Sequence, residues 1–167
     1  MNFDLAIIGA GPGGYVAAIK AAQGGLSVVL FEEREVGGVC LNRGCIPTKT
    51  FIKSAQIVET IKNAGKYGIE EAQYRLNYPG VLSRKQSVVR NLCMGVAGLL
   101  KKNGVTLIRE RAEIVSPGAV KAKGETYEVK NIILATGSKP VKPPIPGIEY
   151  AVDSDQVLSL ESLPQSM

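Results

Sequence analysis

At 167 residues, with 45% hydrophobic and 21% charged side chains, the chain fits one ordinary domain with a real core. Its net charge of +5 is modest and spread along the chain, which argues against nucleic acid as a partner, and no apolar run reaches the roughly 20 residues of a membrane helix. Three cysteines without a single histidine remove the commonest general base and metal ligand, and they favour redox or metal chemistry over a disulfide scaffold.

The N-terminus lacks the basic start of a signal peptide, and Leu5 to Ile8 is too short for its apolar segment, so a cytoplasmic protein is expected. Leu5-Ala6-Ile7-Ile8 instead reads as a buried parallel strand. Gly9-Ala10-Gly11-Pro12-Gly13-Gly14 follows directly, and Tyr15 to Ala22 predicts a helix with Val16, Ile19 and Ala22 on one face. Gly24-Gly25 ends it, and Ser27 to Phe31 predicts a second strand closed by Glu32 and Glu33. This is a βαβ unit with a right-handed crossover. Gly9, Gly11 and Gly14 match G-x-G-x-x-G within it. The first glycine makes the tight turn, the second admits a pyrophosphate, and the third lets helix pack on strand. Glu32 ends the second strand, where a carboxylate can accept from a ribose hydroxyl pair. Dinucleotide binding follows from strand, turn, helix and acid together; the motif does not separate NAD from FAD.

Gly37-Gly38-Val39-Cys40-Leu41-Asn42-Arg43-Gly44-Cys45-Ile46-Pro47-Thr48-Lys49 comes next. Two cysteines with four residues between them can meet across a short turn. Pro47 suits the first turn of a helix, so Cys45 lies where a helix dipole favours a thiolate, with Cys40 in a looser loop before it. Arg43 and Lys49 add positive charge nearby. A zinc site, a small structural disulfide and an incidental pair are the competing readings, the first short of ligands and the second disfavoured by a reducing compartment. No metal is expected.

Lys49 to Ala64 predicts an amphipathic helix through Ile52, Ala55, Val58 and Ile61, and Tyr67 to Tyr78 a polar loop. Val81 to Asn103 predicts a long helix with Val88, Leu92, Val96 and Leu99 as its buried stripe and Cys93 as a core thiol. Strands are expected at 105–108, 112–115, 119–122, 126–129 and 131–135, with turns at Pro117-Gly118 and Lys123-Gly124. Ala135-Thr136-Gly137-Ser138 offers small residues for close ligand approach, and Pro140 to Gly147 is a proline-rich exit.

The stretch from Gly37 to Lys49 resembles the redox-active segment of the flavin-dependent pyridine nucleotide–disulfide oxidoreductases. The glycine turn, Glu32, the run from Gly98 to Val105 and Ala135-Thr136-Gly137-Ser138 extend the resemblance over essentially the whole chain. The pattern is most similar to the branch that oxidises dihydrolipoamide; the glutathione and mercuric reductase branches commonly carry valine where Leu41 and Ile46 stand. A stand-alone dinucleotide-binding module without turnover is the alternative from another class. The resemblance implies an α/β, Rossmann-like FAD-binding domain over 1–147, with a parallel sheet, helices on both faces and a small antiparallel β-meander. Residues 148–167 would be a linker toward a missing NAD-binding domain. It implies that Gly9, Gly11, Pro12, Gly13 and Gly14 bind the FAD pyrophosphate and Glu32 the adenosine ribose. The loop from Glu33 through Gly38 and Val39 to Cys40 would line the cofactor, and Lys49 would lie near the flavin. Ala112 would offer backbone to the adenine, and Ala135, Thr136, Gly137 and Ser138 would close the site. Cys40 would be the interchange thiol and Cys45 the charge-transfer thiol, with NAD as the second cofactor of full-length members. Homodimers and the lipoyl-bearing components of 2-oxo acid dehydrogenase or glycine cleavage systems are the implied partners. A chain without histidine or a second glycine motif is expected to lack the full reaction on its own.

Overall fold

In the computed structural model, residues 2–70 and 73–167 are described. The chain divides into two compact units, Met1–Asn42 with Asn91–Lys139, and Arg43–Arg90 with Pro140–Met167.

The first unit is built on one sheet. Strands β1 (Asn2–Ile8), β2 (Val28–Phe31), β3 (Thr106–Ile108), β4 (Glu113–Ser116), β5 (Ala119–Ala122) and β6 (Glu125–Leu134) lie in the order β3-β2-β1-β6-β5-β4. Neighbours from β3 to β6 are parallel, and β6, β5 and β4 form the antiparallel meander. Parallel half and meander are therefore one mixed sheet. The two strands expected at 126–129 and 131–135 are a single strand, β6, which runs through Lys130. Lys130 does not end the strand: β1 pairs with β6 on both sides of it, and the Lys130 ammonium reaches Asp4 Oδ1 at 2.7 Å.

Helix α1 (Pro12–Gln23) joins β1 to β2. The short helix α2 (Gly38–Arg43) follows β2, and α3 (Cys45–Lys62) and α4 (Tyr78–Lys102) precede β3. Ala18 of α1 and Leu100 of α4 pack with Leu5, Ile7, Val28 and Leu30 on one face of the sheet. On the other face Ala6, Val29 and Phe31 pack with Val120, Ala122, Tyr127 and Val129, and the Phe31 and Tyr127 rings meet edge-on at 5.2 Å. Helical cover was expected on both faces; here the meander's own side chains take the second face. The cause is topological: two right-handed crossovers that step outward in the same direction leave their helices on the same side.

The helix faces also differ in detail. Val16, expected inward, is 48% exposed, because α1 approaches the sheet through Gly14 and Ala18, and Val16 lies about 200° around the helix from Gly14. From Val88 onward the covered positions of α4 are Val88, Val89, Cys93, Val96, Ala97 and Leu100, while Leu92 and Leu99 are exposed. The apolar residues there come in adjacent pairs, so periodicity alone leaves the stripe ambiguous by one residue.

In the second unit α3 begins earlier than expected, at Cys45, and α4 begins at Tyr78. Of the loop read over 67–78, residues 71 and 72 lie outside the described residues. Phe51 and Tyr78 stack at 6.4 Å, and Lys85 Nζ lies 5.7 Å from the Phe51 ring centre. The short helix α5 (Ser154–Val157), closed by an Asp153–Gln156 capping box, belongs to the same unit. It is tied in by Arg43 to Asp155 at 3.5 Å, Lys85 to the Leu158 carbonyl at 3.0 Å and the Tyr78 hydroxyl to the Leu160 carbonyl at 3.1 Å. An apolar groove of about 850 Å³ runs along Phe51, Ile52, Ala55, Val81 and Leu160. Ile52, expected in the buried stripe of α3, is 50% exposed at its edge.

Candidate functional site

The glycine turn sits where β1 passes into α1. Gly9 has φ +102°, and a Cβ on it would run into the Ala135 carbonyl. A Cβ on Gly14 would meet the Gly9 carbonyl, so helix and strand touch only because both residues lack side chains. Gly11 differs from both. A Cβ there would find only Gly38 Cα, at 3.8 Å, an ordinary contact. The protein's own packing does not demand glycine at 11; the space it leaves is open to a group from outside. Gly13 has similar room, with Ala135 Cβ at 3.9 Å. Pro12 opens α1, and the N-cap Gly11 has no side chain to satisfy the first-turn N–H groups. Uncapped donors at the positive end of a helix suit a phosphate.

Glu32 closes on this turn. Its Oε2 accepts from the Ala10 N–H at 2.7 Å and its Oε1 from the Arg34 N–H at 2.8 Å. The following loop, beginning at the exposed Glu33, returns to the same place, since the Gly37 N–H donates to the Ala10 carbonyl at 2.8 Å. Gly38 has φ +56°, and a Cβ on it would come within 2.6 Å of Gly11 Cα. Ala135 is tied in by its N–H to the Ile8 carbonyl at 2.8 Å, and Thr136, Gly137 and Ser138 continue from it, exposed. The fold thus gathers Gly9, Gly11, Gly13, Gly14, Glu32, Gly38 and Ala135 around one turn. Donors, space and a carboxylate are those a dinucleotide needs. Ala112 is elsewhere: it packs against the second core cluster, beside Arg111 and Lys121 at a cavity of about 510 Å³.

Cys40 is not in a loose loop as expected. It lies half-buried in α2, next to the 45%-exposed Val39. The helical turn is held by Asn42, whose Nδ2 donates to the Gly38 carbonyl at 2.9 Å and the Val36 carbonyl at 3.2 Å. Asn42 Oδ1 accepts from the Cys93 thiol at 3.3 Å. Burial pushes the Cys93 thiol up, the hydrogen bond to Asn42 opposes this, and the charge of Glu35 adds to the rise. In the second unit Cys45 is exposed at the first position of the 18-residue α3, with no side-chain cap before it, and Lys49 is exposed one turn on. Among the described residues no group of three or more Cys, Asp or Glu could hold a metal ion, and no helix is long and apolar enough to cross a membrane.

Sequence reasoning missed the part played by Asn42. It stands between the two cysteines, which was its only signal. Its partner Cys93 lies 51 positions away and is brought to it by the fold.

Comparison with known proteins bears on this arrangement. The family model described as pyridine nucleotide-disulphide oxidoreductase matches residues 3–167. A dihydrolipoyl dehydrogenase of Acholeplasma laidlawii is 46% identical over 99% of this chain and 52% of its own length. One from Chlamydia muridarum is 46% identical over 99% of this chain and 37% of its own length. The chain thus spans about half or less of these curated relatives. Among solved structures, the Cu(II) complex of an HOCl-induced flavoprotein disulfide reductase from Escherichia coli superposes with a TM-score of 0.78 at 29% identity, over 96% of this chain and 34% of that one.

Proposed function

The chain belongs to the pyridine nucleotide-disulphide oxidoreductase family, and from that premise we propose that it is the FAD-binding, redox-cysteine portion of a dihydrolipoamide-oxidising enzyme. Gly11 carries the proposal: it is a glycine that the protein's own packing does not require, at an uncapped helix N-terminus, beside a carboxylate.

On this proposal Gly9, Gly11, Pro12, Gly13 and Gly14 cradle the FAD pyrophosphate through backbone N–H groups. Glu32 spends part of its acceptor capacity on Ala10 and Arg34 and keeps lone pairs for the adenosine ribose. Glu33, Gly38 and Val39 line the cofactor, Ala112 offers backbone to the adenine, and Ala135 to Ser138 close the site. By its likeness to the family, Lys49 would lie near the flavin. When bound, the flavin supplies a two-electron acceptor for the cysteine pair, and NAD⁺ is the onward outlet. The chain's own part is thiol–disulfide exchange. A substrate thiolate attacks Cys40 of the Cys40–Cys45 disulfide, the S–S bond breaks, and Cys45 leaves as a thiolate. The second substrate thiol displaces Cys40. The substrate departs as a cyclic disulfide, two electrons stay on the cysteine pair, one proton ends on Cys40 and one in solvent. With no histidine in the chain, any imidazole base for these protons must come from another chain or segment. A pair that cycles between thiol and disulfide fits the reducing cytoplasm. A homodimer and lipoyl-bearing complex components are the partners this function calls for. Within the chain, 1–147 would hold the cofactor and 148–167 would lead toward an NAD-binding domain.

An absorbance spectrum tests the proposal. The purified protein, as isolated or after addition of FAD, is expected to be yellow and to gain a long-wavelength band when a dithiol is added. Failure to take up FAD would overturn it.

A further inference from the structure

We propose that Asn42 is the positioning residue for the Cys40 helix, and that the Cys93 thiol completes its grip by donating to the amide oxygen. The inference rests on the functional reading above only for the role given to Cys40.

Asn42 lies two residues beyond Cys40 in α2. Its amide faces carbonyls on one side, Gly38 at 2.9 Å and Val36 at 3.2 Å, and a thiol on the other, Cys93 at 3.3 Å. Carbonyls only accept, so the Nδ2 group must face them and Oδ1 must face Cys93. A thiol is a weak donor, but it donates only while protonated. Burial, the first cause of its raised pKa, keeps Cys93 in that form. The two carbonyls that Asn42 grips belong to the segment that abuts the glycine turn. Gly38 sits against Gly11, and the neighbouring Gly37 N–H is bonded to Ala10. The chain of contacts therefore runs from Cys93 through Asn42 to Gly38, and on to the turn proposed to hold FAD. It fixes where the helix bearing Cys40 stands relative to that turn. Cys93, read from sequence as a core thiol, acquires a specific partner. A hydrophobe of equal size could fill its space and could not donate to the amide oxygen.

The test is mass-resolved alkylation of FAD-free protein by iodoacetamide, scored as the ratio of Cys40 to Cys45 labelling rates. Asn42→Asp keeps the shape and removes both donors; it is expected to raise the ratio about tenfold. Cys93→Val removes only the thiol donor and is expected to raise it about threefold, whereas Cys93→Ser, which keeps a donor, should return it close to wild type. If the pair serves core stability alone, Asn42→Asp and Cys93→Val lower the melting temperature and leave the ratio unchanged, and the inference is overturned. Equal behaviour of Cys93→Val and Cys93→Ser would also overturn the part given to Cys93. Because labelling is read without FAD, a wild-type chain that refuses FAD refutes the proposed function and leaves this test standing.

Discussion

Single residues carry separate duties here, and two groups of them can be tested directly. Asp4 accepts from Lys130 Nζ at 2.7 Å, from the Ser27 hydroxyl at 2.7 Å and from the Ser27 N–H at 2.9 Å. The bond from Lys130 first, then those from Ser27, hold its carboxyl well below the usual carboxylate range. A depressed folded-state pKa stabilises the fold above the ordinary value near 4 and loses that contribution as pH falls through and below it. Lys130, raised by the same bond, contributes below the ordinary lysine value and loses its share only as pH climbs beyond it. Asp4→Asn should therefore lower the melting temperature at pH 7, and thermal melts at decreasing pH should show its gap from wild type closing below about pH 4. The glycines make a sharper pair. Gly14→Ala forces a methyl into the Gly9 carbonyl and should cost on the order of 3 kcal/mol in chemical denaturation. Gly11→Ala meets only an ordinary contact, so it should fold like wild type yet weaken FAD binding at least about tenfold in a fluorescence titration. Equal destabilisation by the two would remove the ground for treating Gly11 as ligand space.

At the level of elements, pattern located every strand and the long helices, and erred where two physical demands compete. On α4 Val88 and Val96 are covered as read, while Leu99 gives way to Leu100, because the two are equally apolar and only the sheet selects Leu100. The break read into β6 at Lys130 was a polarity signal, answered in the fold by Asp4. The β5–β6 turn was read correctly as Lys123-Gly124. Its residues have φ +52° and +78°, as a type I′ turn requires, and Lys123 is the one non-glycine residue with positive φ among those described. A lysine there is strained by roughly 1 kcal/mol, and asparagine tolerates the conformation better. Lys123→Asn should raise stability by about 0.5 kcal/mol without moving the strand register, checked by denaturant melts.

As a whole, the chain belongs to the pyridine nucleotide-disulphide oxidoreductase family and spans about half or less of its curated relatives' length. Without a histidine, the chain alone should show no NAD⁺-linked oxidation of dihydrolipoamide. Absorbance at the NADH band during steady-state assay checks this, and turnover at the level of a full-length relative would refute it. Leu134, Val141 and Ile145 are 65%, 88% and 55% exposed, and the groove of the second unit is apolar. Such surface favours association, so sedimentation velocity should show species larger than monomer as concentration rises.

The sequence by itself determined the βαβ unit, the glycine turn and the place of Glu32 at the end of β2. Each of these is a local demand: a φ that only glycine tolerates, a side chain that must be small, an acid at a strand end. Tertiary structure decided what depends on distant partners: which face of α1 and α4 is buried, and that β6 is one strand between β1 and β5. It also decided that Cys40 rides on a helix gripped by Asn42, and that Cys93, 51 residues further along, completes the grip. Periodicity reports which residues prefer burial. It carries no information about which two polar atoms the finished fold brings to within 3.3 Å.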